Sequence, residues 1–142
     1  MATIQLEIVS PDRVVYTADI TMLIVRSTGG ELGILPHHAP LVTGLVPHAM
    51  RVKYNDGEEE LLAVAGGFME VQPDKITVLA TAAEQPINID INRAQRAYER
   101  ARERIDAFKQ DSASNRDIDL SRAEAALERA IARLKATKTK IE

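Results

Sequence analysis

The chain has 142 residues, 45% of them hydrophobic and 27% charged, with a formal net charge of −3. That suits one domain or two small ones, is too apolar for wholesale disorder, and is too acidic for a dedicated nucleic-acid binder. The absence of Cys excludes disulfides, thiolate catalysis and Cys-based zinc sites. No apolar run approaches the ~18 residues of a membrane span, and the opening MATIQLEIVSPD does not read as a secretory signal, so a cytoplasmic location is expected. All 7 Gly and all 6 Pro lie at or before Pro86. Residues 1–86 carry 5 Lys/Arg against 11 Asp/Glu, and residues 87–142 carry 13 against 10. Gly and Pro punctuate turns, whereas Ala, Glu and Arg favour helices. Pro86 is therefore the expected boundary between a turn-rich first part, residues 1–86, and a helical second part, residues 87–142.

In chain order, Ile4, Leu6 and Ile8 alternate with Gln5, Glu7 and Val9, the period of a half-buried strand. Ser10-Pro11-Asp12 is a turn signal, and Val14-Val15-Tyr16 predicts a second short strand. Ile20 to Val25, apolar apart from Thr21, predicts one strand covered on both faces. Gly30 to Leu41 holds paired histidines, His37 and His38. Neighbours on an extended chain point to opposite faces and chelate poorly, so this stretch is read as a Gly/Pro-constrained loop. Ala49–Tyr54 and Glu60–Ala65 flank Asn55-Asp56-Gly57 and predict a hairpin; Phe68–Val71 and Ile76–Ala80 flank Gln72-Pro73-Asp74 and predict another. Gly66-Gly67 reads as a bulge or tight bend more readily than as a phosphate cradle. Many short strands at regular spacing suggest a sandwich or small barrel.

After Pro86 the period changes. Ile91, Ala94, Tyr98, Ala101, Ile105 and Phe108 form one narrow helical stripe, and Leu120, Ala123, Leu127, Ala130 and Leu134 a second, with Ile141 in register. The polar stretch Lys109–Arg116 separates them, which predicts an antiparallel helical hairpin with arms of roughly 30 Å. A seam so rich in Ala buries little apolar area, so at ~25 cal/mol per Å² its docking should be modest, leaving a hairpin able to undock. The helix starts resemble each other: Asn88-Ile89-Asp90-Ile91-Asn92-Arg93-Ala94 matches Asp117-Ile118-Asp119-Leu120-Ser121-Arg122-Ala123. Asp90 and Asp119 are expected N-caps. An Arg three residues after the cap opposes the helix dipole. Either an ion pair with the capping Asp holds it there, or it helps the helix N-terminus bind an anion. Arg93 and Arg100 lie two turns apart on one helix, with Arg96 and Arg104 beside that line, and Arg129 and Arg133 share a face of the other. If the hairpin closes, two guanidinium-bearing faces converge, a geometry suited to phosphate oxygens. Glu99, Glu103, Glu124 and Glu128 offer the competing reading of surface ion pairs.

Three segments carry a resemblance to a known family. Gly30-Glu31-Leu32-Gly33-Ile34-Leu35 with His38 and Pro40-Leu41, then Ala65-Gly66-Gly67-Phe68-Met69-Glu70-Val71, and finally Ile89-Asp90-Ile91-Asn92-Arg93-Ala94 resemble signature segments of the epsilon subunits of bacterial rotary (F-type) ATP synthases, the last being the Ile-Asp-x-x-Arg-Ala motif of the ATP-binding variety. The resemblance spans essentially the whole chain. It implies an α+β protein in which an N-terminal flattened β-sandwich is followed by the C-terminal antiparallel helical hairpin. The sandwich would bind the gamma subunit and the c-ring, at the cytoplasmic face of the cell membrane, peripherally. The hairpin would extend toward the catalytic alpha/beta hexamer to oppose ATP hydrolysis, and fold down with ATP bound as a regulatory ligand, with or without Mg. The matching ATP-binding positions would be Glu84, Ile89, Asp90, Arg93, Ala94, Arg100, Arg129 and Arg133. Asp90 and Arg93 would hold the base and ribose region, and Arg100, Arg129 and Arg133 would face the phosphates.

No catalytic residues, metal ligands or catalytic cofactor are expected, because no nucleophile, base and orienting group stand at a recognisable spacing and there is no P-loop. The alternative is a purely structural stalk subunit without nucleotide binding, in which Asp90 and Arg93 serve only the helix start. A hairpin adaptor or RNA binder is a third reading, and 4% aromatic residues offer little for base stacking.

Overall fold

The computed structural model describes residues 2–110 and 119–138. Ten strands precede two helices: β1 (Ile4–Val9), β2 (Val14–Ile20), β3 (Met22–Ser27), β4 (Gly30–Ile34), β5 (Leu41–Leu45), β6 (His48–Lys53), β7 (Glu59–Val64), β8 (Gly67–Val71), β9 (Lys75–Ala80), β10 (Ala83–Glu84), α1 (Ile91–Gln110) and α2 (Leu120–Ala136). A short 3-10 turn over Pro86–Asn88 joins strands to helices. The period-two residues fill the core as their alternation requires. Ile4, Leu6 and Ile8 of β1 are fully buried, and meet Leu23 and Val25 of β3, Met50 and Val52 of β6, Met69 of β8 and Val78 of β9 in one apolar cluster. The strands run in the order β10-β7-β6-β3-β5-β8-β9-β1-β2, with β4 on β3, and fold over this core as a sandwich. Pairing is antiparallel except between β1 and β9.

Side chains help join the two ends of that order. Tyr16 on β2 hydrogen-bonds Tyr54, which donates to Glu60 of β7 at 2.7 Å, and Gln85 Nε2 donates to the carbonyl of Val15 at 3.2 Å. Burial, reinforced by the charge of Glu60, pushes the Tyr16 hydroxyl up to about 12, so it stays protonated and able to donate.

Both expected hairpins, β6–β7 and β8–β9, are present. Two other expectations are corrected. The run Ile20–Val25 is two strands, broken at Thr21, whose amide and hydroxyl both donate to the carbonyl of Lys53 (2.8 and 3.1 Å) as the chain passes from β1's side to β6. The stretch from Gly30 is not a loop throughout. Residues 30–34 pair with β3 as β4, and the chain enters β5 at Leu41. Gly30 and Gly33 leave β4 without alternation to read, since only Ile34 is buried. Gly66 and Gly67 form the tight bend expected of them: at Gly67, φ is +139° and a Cβ would sit 2.1 Å from the carbonyl oxygen of Leu79.

In the hairpin, Ala94 and Tyr98 near the start of α1 pack with Ala130 and Leu134 near the end of α2, so the helices are antiparallel. Ile91 is the exception in the expected stripe, 44% exposed. Lys109 and Gln110 continue α1 rather than opening the connector, and residues 111–118 and Ile141 lie outside the described residues. α2 has a second buried face that the stripe does not include. Ala132 and Ala136 are buried, and Ala136 packs with Ala63 of β7 and Ile89 against Ala49 and Leu61. α2 thus lies between α1 and the β6–β7 face of the sandwich, and its alanines let it approach both closely.

Candidate functional site: an arginine-lined cleft at the hairpin seam

Where β10, the 3-10 turn, α1 and α2 meet, they enclose a cleft of about 600 Å³. Each element delivers its residue for a local reason. β10 pairs Ala83 and Glu84 with Val64 and Ala63, fixing Glu84 at the sandwich edge. Ile89, buried against Ala63 and Ala136, anchors the turn so that Asp90 follows at the mouth of α1. Asp90 is the N-cap: its Oδ1 accepts from the amide of Arg93 at 3.0 Å, and its carbonyl accepts from Ala94. Asp119 caps α2 in the same way, accepting from the amide of Arg122 at 3.1 Å. In neither start does the Arg guanidinium pair with its capping Asp, so the cap is a backbone interaction and the Arg head group is left for something else.

The cleft brings together Glu84, Asp90, Arg93, Ala94, Arg100 and Arg133 of the expected set. Ile89 lies beneath it as an anchor. Arg129 lies beside it, in a narrow crevice shared with Glu84 and Arg133. Asn88, Arg96 and Ala97 also line the wall. Arg96 is legible beside the Arg93–Arg100 line but lies outside the motif positions, and nothing in the spacing of Asn88 or Ala97 marks them as site residues. Arg133 Nε donates to Glu84 Oε1 at 2.6 Å, an ion pair tying α2 to the sandwich edge, with each side chain about one-third exposed. Among the described residues no carboxylate pairs with Arg93, Arg96 or Arg100. The wall therefore presents three unpaired guanidiniums, a cationic surface on which phosphate oxygens would find fork-shaped donors.

Two other surfaces stand out. A groove of about 650 Å³ runs between α2 and the outer face of β3, β4 and β6. Its charges nearly balance, with Arg26 and Lys135 against Glu31 and Glu128, and Arg51 bound to Glu59 at 2.9 Å, so it has no comparable attraction for a polyanion. On the sheet formed by β5, β8 and β9, Val42, Phe68 and Leu79 are 69%, 63% and 57% exposed, and Phe68 stands directly beside Leu79 in the register. Large apolar side chains grouped in this way are unusual on a surface left to water.

The architecture defines a class: a β-sandwich whose last strand leads into a helical hairpin folded back on it. The family model for the beta-sandwich domain of the ATP synthase delta/epsilon chain matches residues 3–86, and that for the long alpha-helix domain of the same chain matches residues 88–138. This chain belongs to the ATP synthase delta/epsilon family. It is 51% identical over 112 residues to the ATP synthase epsilon chain of Alkalihalophilus pseudofirmus and 49% identical over 112 residues to that of Bacillus subtilis, covering 79% of this chain and 84% of each relative. In fold it matches a chain of the Euglena gracilis mitochondrial ATP synthase (OSCP/F1/c-ring) with a TM-score of 0.77 at 24% identity, over 97% of this chain and 82% of that one. A chain from the central stalk/c-ring structure of the Tetrahymena thermophila mitochondrial enzyme matches with a TM-score of 0.58 at 12% identity, over 96% and 97%. No helix among the described residues is long and apolar enough to cross a membrane.

Proposed function

We propose that this chain is a non-catalytic central-stalk subunit that couples the rotor to the c-ring, and whose hairpin regulates ATP hydrolysis by binding ATP when folded down. The observation that carries this reading is the cleft. Its walls come from β10, α1 and α2 together, so it is complete only while the hairpin is docked, and its unpaired Arg93 and Arg100 suit a polyphosphate. A ligand that fits only the docked arrangement favours it by its differential affinity. Asp90 and Arg93 would hold the nucleoside end, and Arg100, Arg133 and the neighbouring Arg129 the phosphates, with or without Mg. Arg133 would then leave Glu84 or share it. The apolar patch of Val42, Phe68 and Leu79 suits a gamma-subunit seat, and the chain would sit peripherally at the cytoplasmic face of the membrane as part of the complex. With the hairpin extended, its basic face would meet acidic segments of the catalytic hexamer.

The Glu84–Arg133 ion pair favours a second reading, a permanently docked structural subunit, because it holds α2 without any ligand. Calorimetric titration of the full chain with ATP separates the two. Saturable binding that is weakened at least tenfold by Asp90→Ala and by Arg93→Ala, but kept by Asp119→Ala, is the expected result. Asp119→Ala removes a matching cap away from the cleft, and so controls for the ~1 kcal/mol that any lost cap costs the hairpin. No binding at millimolar ATP would leave the structural reading.

A further inference from the structure

We infer that Arg96 is a phosphate-contacting residue of the cleft, one that sets how strongly its affinity rises with the number of phosphates. The inference rests on the nucleotide-binding reading above and deepens it, since Arg96 is not among the positions that the signature motif marks. It is carried by placement. Arg96 lines the same wall as Arg93 and Arg100, and among the described residues it has no carboxylate partner. On an α-helix, residues three and seven apart share a face, and at 1.5 Å per residue Arg96 lies ~4.5 Å along the axis from Arg93 and ~6 Å from Arg100. Ala97, between Arg96 and Arg100 on the wall, has only a methyl group and leaves the space over that part of the face open. A ligand with its nucleoside at the Asp90 end and its phosphates toward Arg100 must cross Arg96.

The charges point the same way. The cleft's two carboxylates are both engaged: Glu84 holds Arg133, and Asp90 caps α1. With Glu84 paired to Arg133 and the Asp90 charge set against Arg93, Arg96 and Arg100, the wall keeps an excess of positive charge, and Arg96 is the middle one of those three guanidiniums. A guanidinium in that position forms charge-assisted hydrogen bonds to a phosphate chain and contributes nothing to a neutral nucleoside. Arg96 is exposed, so substituting it leaves the apolar seam of the hairpin intact.

The test is titration of the full chain and of its Arg96→Gln and Arg96→Lys variants with adenosine, ADP, ATP and inorganic tripolyphosphate, at fixed ionic strength. The expected result is a five- to tenfold loss for ADP, ATP and tripolyphosphate in Arg96→Gln, partial rescue in Arg96→Lys, and unchanged affinity for adenosine. Tripolyphosphate binding that depends on Arg96 in a chain that fails to bind ATP would sustain the phosphate contact while removing the nucleotide reading. Equal affinities of wild type and Arg96→Gln for all four probes, or an equal loss for adenosine, would overturn the inference, as would a wild-type chain that binds none of them.

Discussion

At the residue scale, two side chains show how position decides chemistry. Asp90 is legible twice over, as a helix cap and as part of a motif, and the structure gives its carboxylate the cap while placing it on the cleft wall. His48 is legible as neither. It is one of three histidines, its Nδ1–H donates to the carbonyl of Val46 at 2.6 Å, and its buried Nε2 has no partner among the described residues. Burial lowers its pKa below the ordinary 6.5, the nearby Arg26 charge adding to the shift and the Val46 bond opposing it. The sign follows from the lowered value. The unfolded chain takes up the proton first as pH falls, so the stability carried by neutral His48 is complete above about 6.5 and is lost as pH falls toward the folded-state value, at no more than ~1.4 kcal/mol per pH unit for one proton. Urea unfolding of wild type and His48→Leu between pH 7.5 and 5 checks this. The substituted chain should show a shallower decline, and identical slopes would contradict the assignment.

At the element scale, the hairpin is held by α2 rather than by the seam alone. The stripe from Leu120 to Leu134 identifies the face that meets α1, because Leu and Ala recur at steps of three and four. The face that meets the sandwich is built from Ala132 and Ala136, and alanine carries too little hydrophobic contrast to announce a second buried side. The same lack of contrast hides β4, with its two glycines, and β10, only two residues long. Where contrast is strong, in β1 or in the turn-flanked hairpins, the strands could be read directly. Ala136→Leu overfills the contact with Ala63 and Ile89 and should cost the docked hairpin about 1–3 kcal/mol. Hydrogen exchange by mass spectrometry should then show α2 losing protection while β1 and β9 keep theirs. Equal losses in the strands would mean that hairpin and sandwich open as one unit.

At the scale of the whole molecule, the cleft is a property of the docked arrangement. The motif at Ile89–Ala94 was readable as a segment, but that Glu84 and Arg133, distant in sequence, would meet across it depends on how β10 and α2 come together. Asn88 became a site residue only through that closure, Arg96, legible in the sequence beside the Arg93–Arg100 line, reaches the cleft wall by it, and Ile89 anchors the turn next to the cleft. Under the proposed nucleotide reading, ATP would be linked to the hairpin's position: at 100 times its dissociation constant, a ligand of the docked state alone adds ~2.7 kcal/mol to docking. The direct measurement is hydrogen exchange along α2 in the full chain, with and without saturating ATP. With ATP held only by the docked hairpin, α2 exchange should slow by up to ~100-fold, an effect abolished by Arg93→Ala. Bound ATP that leaves α2 exchange unchanged would overturn the proposed linkage.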